Sequence, residues 1–168
     1  KKFKIKAFFF IYSSILTDKP DNLEIYRFFR CNFFENINDF YKLFFNEVKI
    51  DLTRYFRKKK KDIIRMKKTF PYYSINDIKY RILRDEFLSK KNLDIIMKKI
   101  FIKKNFKPEK YFNKIFMSKK DIKDLINDGH VIGLHSHSHP TTLNKLTKRE
   151  QETEFKKNSK SEGKSYQK

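Results

Sequence analysis

A chain of 168 residues suits one domain and is long enough to enclose a hydrophobic core. The apolar fraction is 39% and the charged fraction 36%, yet 19 Phe and 9 Tyr exclude a wholly disordered chain. The formal charge of +21 invites a nucleic-acid or acidic-polymer partner, but the basic residues run along the whole chain, and the joint excess of Lys, Asn, Ile and Phe is what A/T-rich coding DNA produces.

A dedicated nucleic-acid surface is therefore not expected. The lysine run at 58–61 is the one local exception and reads as a solvated helix face or loop. Cys31 has no second cysteine for a disulfide or a zinc site, which points to a reducing, cytoplasmic compartment. The chain begins with Lys1 rather than methionine, as expected of a processed or truncated start.

In chain order, residues 5–12 form a continuous apolar and aromatic run that reads as a strand buried on both faces, the kind found in parallel α/β sheets. The run is too short to span a bilayer, and no signal-peptide cleavage site follows it. Thr17, Asp18, Lys19, Pro20 and Asp21 break the pattern, and Asp21 can accept from the free amides of a following helix. From Leu23 to Met117 apolar residues recur at helical spacing: Phe40, Leu43, Phe44 and Val48; Ile78, Ile82 and Leu83; Leu93, Ile96, Met97 and Ile100. Asn38, Pro71, Ser74 with Asp77, and Pro108 punctuate this helix-rich middle, whose aromatic stripes read as core.

Ser118 and Asp121 form a capping pair, Ile122, Leu125 and Ile126 give an apolar face, and Gly129 can end the helix in a left-handed conformation. Residues 131–134 (Val-Ile-Gly-Leu) read as a buried strand, and His135, His137 and His139 come directly after it. Ligand sites in α/β folds collect at that carboxyl edge. Thr147 with Glu150 starts another helix, and residues 159–168 read as a frayed tail.

His135 and His139 have the His-x-x-x-His spacing that converges on a metal if the segment turns helically. An extended loop would instead put all three histidines on one side, so spacing alone leaves the converging pair open.

The string Gly129-His130-Val131-Ile132-Gly133-Leu134-His135-Ser136-His137-Ser138-His139-Pro140 resembles the second motif of the polysaccharide deacetylase (NodB-homology, carbohydrate esterase) family. The preceding helix and the segment with Leu143, Leu146, Glu150 and Glu154 are also similar to the family, as are residues 7–11 to its second barrel strand.

The resemblance implies an α/β fold, a partial distorted (β/α) barrel with a long helical insertion. Its expected parts are a barrel strand and loop at 1–17, the insertion at 18–117, the helix, strand, histidine loop and helix at 118–161, and a disordered tail at 162–168. It implies that His135 and His139 hold a divalent metal, zinc by family habit, which polarises an N-acetyl carbonyl and activates water. Ser136 would steady the loop, His130 would play a structural hydrogen-bonding part, and His137 falls at a variable position.

The partner implied is an N-acetylated glycan or sugar precursor. Tyr72, Tyr73 and Arg84 of the insertion are candidates for sugar contacts if it caps the metal mouth. The family's Asp-Asp motif would precede this strand and its later acid motif would follow Lys168, so no catalytic base or acid is identifiable and little activity is expected of this polypeptide alone. Two other readings are a basic module for nucleic acid or an anionic surface, and a silent remnant that still binds zinc.

Overall fold

The computed structural model describes residues 5–17 and 21–162. Asp18, Lys19 and Pro20 of the expected loop, and residues 163–168 of the expected tail, lie outside the described residues. The chain is α/β and mostly helical (67%), with a two-stranded sheet among the described residues. Strand β1 (Phe8–Ile11) leads into a 3-10 turn (Ser13–Leu16). Helices α1 (Asn22–Asn32), α2 (Ile37–Glu47), α3 (Leu52–Lys58), α4 (Lys60–Thr69), α5 (Ile75–Ile82) and α6 (Lys90–Lys103) follow, with a π-helical turn (Leu83–Phe87) after α5. A 3-10 turn (Pro108–Tyr111), α7 (Phe112–Ile115), α8 (Lys119–Asn127), strand β2 (Val131–Leu134), a 3-10 turn (Leu143–Lys145) and α9 (Lys148–Glu162) complete the order.

The chain divides into two compact units: residues 25–108, and residues 1–24 with 109–168. The first is helical. Its starts are set by side-chain caps: Asn36 accepts from the Asn38 amide, Asp51 from Arg54, Ser74 from Asp77 and Ser89 from Asn92. Asn38 was the expected signal for α2, but the cap falls two residues earlier because Asn36 is the residue in extended conformation. Phe40, Phe44, Val48, Ile78, Ile82, Leu83, Leu93, Ile96, Met97 and Ile100 are buried as their spacing predicts, and Leu43 is half-buried.

Phe29 is fully buried and packs edge-on to Phe101 at 4.7 Å, with Phe106 at 4.8 Å. Asp77 is the buried charge of this unit. It accepts from Arg30, Arg81 and the Tyr41 hydroxyl, each at 2.8 Å. Burial acts to raise its pKa, but the Arg81 and Tyr41 hydrogen bonds and the Arg30 charge prevail and hold the carboxyl below its ordinary value.

In the second unit β1 and β2 pair in parallel, with Phe8 opposite Val131, Phe10 opposite Gly133 and Ile11 opposite Leu134. The expectation of a strand buried on both faces does not hold. Ile11 is buried, but Phe8 and Phe10 are each 65% exposed, because the two strands have one face covered and alternate residues point away from it. β2 is likewise only half-buried, with Leu134 exposed. A closed barrel is not shown, and a parallel pair does not conflict with one.

Helix α8 begins with the expected capping box, Ser118 and Asp121 each bonding the other's backbone amide. It ends with Gly129 at φ +86°, where the Gly129 amide donates to the Ile126 carbonyl and the His130 amide to that of Leu125. That left-handed cap turns the chain from helix into β2. Ile122, fully buried, anchors α8. Gly133 is needed for a different reason: a Cβ there would lie 2.8 Å from the Phe10 ring. Helix α9 runs through Glu162, so residues 159–162, expected to fray, are helical.

Candidate metal centre

The strand pair does not stop at Leu134. The His135 amide donates to the Ile11 carbonyl at 3.0 Å, the Ser13 amide to Ser136 at 3.0 Å and the Ser14 amide to His137 at 2.9 Å. These bonds carry the pairing past the carboxyl ends of the strands and fix the start of the histidine loop against the 3-10 turn.

The loop neither continues as a helix nor stays extended; it bends at His137 and Ser138. Buried Ser136 makes the bend, its Oγ accepting from the His139 amide at 3.1 Å. His139 takes φ +52°, a left-handed value that His tolerates better than most residues. The outcome is that His135 and His139 come together, with ring centroids 5.0 Å apart and planes at 53°.

Glu154 of α9 closes the loop from the other side. Its Oε2 accepts from the His137 amide at 3.0 Å and the Ser138 amide at 2.7 Å, while Oε1 accepts from the Ser138 hydroxyl at 2.7 Å. Partial burial acts to raise the Glu154 pKa, but the Ser138 amide and hydroxyl and the His137 amide outweigh it, and the carboxyl sits below its ordinary value. A charged acceptor on two successive amides is a strong brace. The capping pair Thr147 and Glu150 starts α9 one turn earlier, which sets Glu154 on the same helix face as Glu150.

His137 faces elsewhere, its Nδ1 at 2.9 Å from the Ser13 hydroxyl. His130 Nδ1 accepts from the Ala7 amide at 3.2 Å, and its ring meets Phe9 edge-on at 5.4 Å, so it ties the start of β1 to the start of β2. The His139 ring is stacked on Tyr12, with centroids 4.9 Å apart and planes 13° from parallel. Its Nδ1 lies 3.8 Å from Glu24 Oε1.

Sequence reasoning assigned no part to Tyr12, Ser13 or Glu24 and placed Glu154 only as a helix residue. Their signal is tertiary, apart from the position of Glu154 one turn after a capping pair.

Tyr72, Tyr73 and Arg84, the candidate sugar contacts, belong to the helical unit. Tyr72 is 97% exposed. Tyr73 stacks on Phe70 at 5.2 Å with the Arg81 guanidinium 4.1 Å above its ring centre, and Arg84 forms a two-pronged pair with Asp85 at 2.6 Å.

Two imidazoles that share a tetrahedral divalent ion through nitrogen–metal bonds of about 2.0–2.1 Å have ring centroids roughly 5 Å apart. The His135 and His139 pair fits that geometry and the donor preference of zinc. Among the described residues no group of three His, Cys, Asp or Glu could hold a metal ion. His135 and His139 are therefore the candidate ligands for such an ion among the described residues.

No helix of the described residues is long and apolar enough to cross a membrane. Comparison with curated proteins and with solved structures gave no match. The family model described as polysaccharide deacetylase matches residues 89–164, a stretch that runs from the cap of α6 through β2, the histidine loop and α9. Over residues 89–164 the chain is similar to the polysaccharide deacetylase family.

Proposed function

We propose that the chain is a metal-dependent, deacetylase-like hydrolase of N-acetyl groups on carbohydrate, with His135 and His139 as its metal ligands. The observation that carries this reading is the 5.0 Å approach of the two imidazoles at the carboxyl end of paired parallel strands, inside the stretch that matches the family. The match itself supports an acetylated carbohydrate as substrate class and deacetylation as the type of activity.

When bound, a divalent metal, zinc by its taste for two imidazoles, supplies Lewis-acid polarisation of the amide carbonyl. The chain's own residues do the rest of what can be derived. His135 and His139 present nitrogen lone pairs from a loop whose shape is set by the Ser136 hydroxyl and the Glu154 carboxylate. Tyr12 keeps the His139 ring in plane. In this reading β1 corresponds to the second barrel strand, the part of the expected insertion that precedes the match at residue 89 is family-variant, and Tyr72, Tyr73 and Arg84 remain its candidates for sugar contact.

We assign no proton acceptor, and among the described residues no group of three His, Cys, Asp or Glu could hold a metal ion. The chain is therefore proposed to bind zinc and to deacetylate slowly or not at all, which makes a zinc-binding remnant without catalysis the second reading. Calorimetric zinc titration of the chain and of His135→Ala tests the ligand assignment, with binding expected in the first and lost in the second. Acetate release from a chitin oligosaccharide with added zinc separates the two readings: zinc-dependent release abolished by His135→Ala marks an active enzyme, and no release beside intact zinc binding marks the remnant. Equal zinc uptake by both proteins would overturn the ligand assignment.

A further inference from the structure

We propose that Glu24 is a positioning residue for His139, and that it selects the imidazole nitrogen which His139 offers to a metal. The inference rests on the reading of His135 and His139 as ligands and adds to it a residue that the histidine motif does not contain.

Among the described residues, four contacts bear on His139. The Ser136 hydroxyl holds the His139 amide, and the backbone is fixed at φ +52°. Tyr12 lies flat against the ring at 4.9 Å and 13°, which sets the ring plane. The His135 ring lies 5.0 Å away. Glu24, in the first turn of α1, brings Oε1 to 3.8 Å from Nδ1, with both side chains partly buried.

A neutral imidazole carries its proton on one nitrogen and a lone pair on the other. Free imidazole side chains favour the proton on Nε2, which would direct the lone pair of Nδ1 at a carboxylate. Two electron-rich groups facing each other repel, so the carboxylate shifts the proton to Nδ1 and leaves the lone pair on Nε2. Glu24 is thus the element of the strand–loop unit that fixes the chemistry of His139, whereas Ser136 and Tyr12 fix only its placement.

The test reads the tautomer directly. Long-range nitrogen–proton correlation spectra of the metal-free full chain at pH 8 should show His139 with its proton on Nδ1. In Glu24→Ala the proton should move toward Nε2, and zinc should bind about tenfold more weakly. Glu24→Gln keeps an acceptor of the same size without the charge, and should hold the tautomer with an intermediate loss of affinity.

An unchanged tautomer in Glu24→Ala overturns the inference, whatever zinc does. If zinc binding requires His135 but ignores Glu24, the metal reading stands and the positioning role falls. If the tautomer shifts while zinc uptake ignores His135, the metal reading falls and the positioning role stands.

Discussion

The helical unit and the strand–loop unit are built on opposite principles. The first is held by apolar volume: Phe29, Phe40, Phe44, Ile78, Met97 and Ile100 are fully enclosed, and its one buried carboxylate, Asp77, has three partners. The second encloses Ile122 and Ile11 but leaves Phe8 and Phe10 open, and its loop owes its shape to hydrogen bonds accepted by Ser136 and Glu154 and to the extended strand pairing. The lesson is that stability and chemistry are separable in this chain. Core substitutions should lower stability without re-aiming the histidines, and loop substitutions should do the reverse.

The largest effect should come from Phe29→Ala. Emptying a site surrounded by Phe33, Phe34, Phe101 and Phe106 costs about 4 kcal/mol by the usual Phe-to-Ala loss. Urea unfolding measures this, and the His135 and His139 resonances of the protein that remains folded should not move. A shift in those resonances as large as the one made by a loop substitution would break the comparison.

Asp77→Asn comes next. Removing one partner of a buried ionic cluster costs about 3–5 kcal/mol, and the partial exposure of Arg81 and Asp77 reduces that to roughly 2 kcal/mol. The pH dependence has a definite sign. A carboxyl whose folded pKa lies below its unfolded value of about 3.9 stabilises the folded state above that pH, and the contribution disappears as pH falls through the folded pKa. As pH falls below about 4, the wild type should lose stability by more than Asp77→Asn does. Parallel acid-unfolding curves for the two proteins would show the cluster to be energetically idle.

Glu154→Gln is a smaller change in stability and a larger one in function. The substitution removes the charge from an acceptor of two amides and a hydroxyl, worth about 1–2 kcal/mol, and the loosened loop should lower zinc affinity about tenfold. Smallest is Gly129→Ala. A Cβ at φ +86° meets no neighbour, so the cost is conformational alone, about 1 kcal/mol in a thermal melt.

How far the sequence reached depends on the range of the interaction. Local signals were legible: Ser74, Ser118 and Thr147 cap helices, Gly129 ends one, and Phe40, Phe44 and Val48 share a buried face. The strand before the histidines was legible from its apolar run, and its partner strand from residues 8–11. Burial of those strands was misread because an apolar run shows preference for an interior, while exposure depends on how many layers cover the sheet.

Within the histidine loop, His135 and His139 have a sequence pattern. Glu24 and Tyr12 do not, because they reach His139 from more than a hundred residues away in the chain. The Ser136 bend shows the same limit at short range: the spacing left helical and extended loops equally open, and one hydroxyl accepting the His139 amide decided between them.

In the proposed function two particular imidazoles, His135 and His139, and not His137, share one metal. Zinc titration followed by imidazole nitrogen resonances tests it most directly. The account predicts that His135 and His139 shift together and saturate at one equivalent of zinc, while His137, engaged with the Ser13 hydroxyl, and His130, engaged with the Ala7 amide, keep their positions. Saturable shifts of His137 with either neighbour, or no saturable shift of His135 and His139, would contradict it.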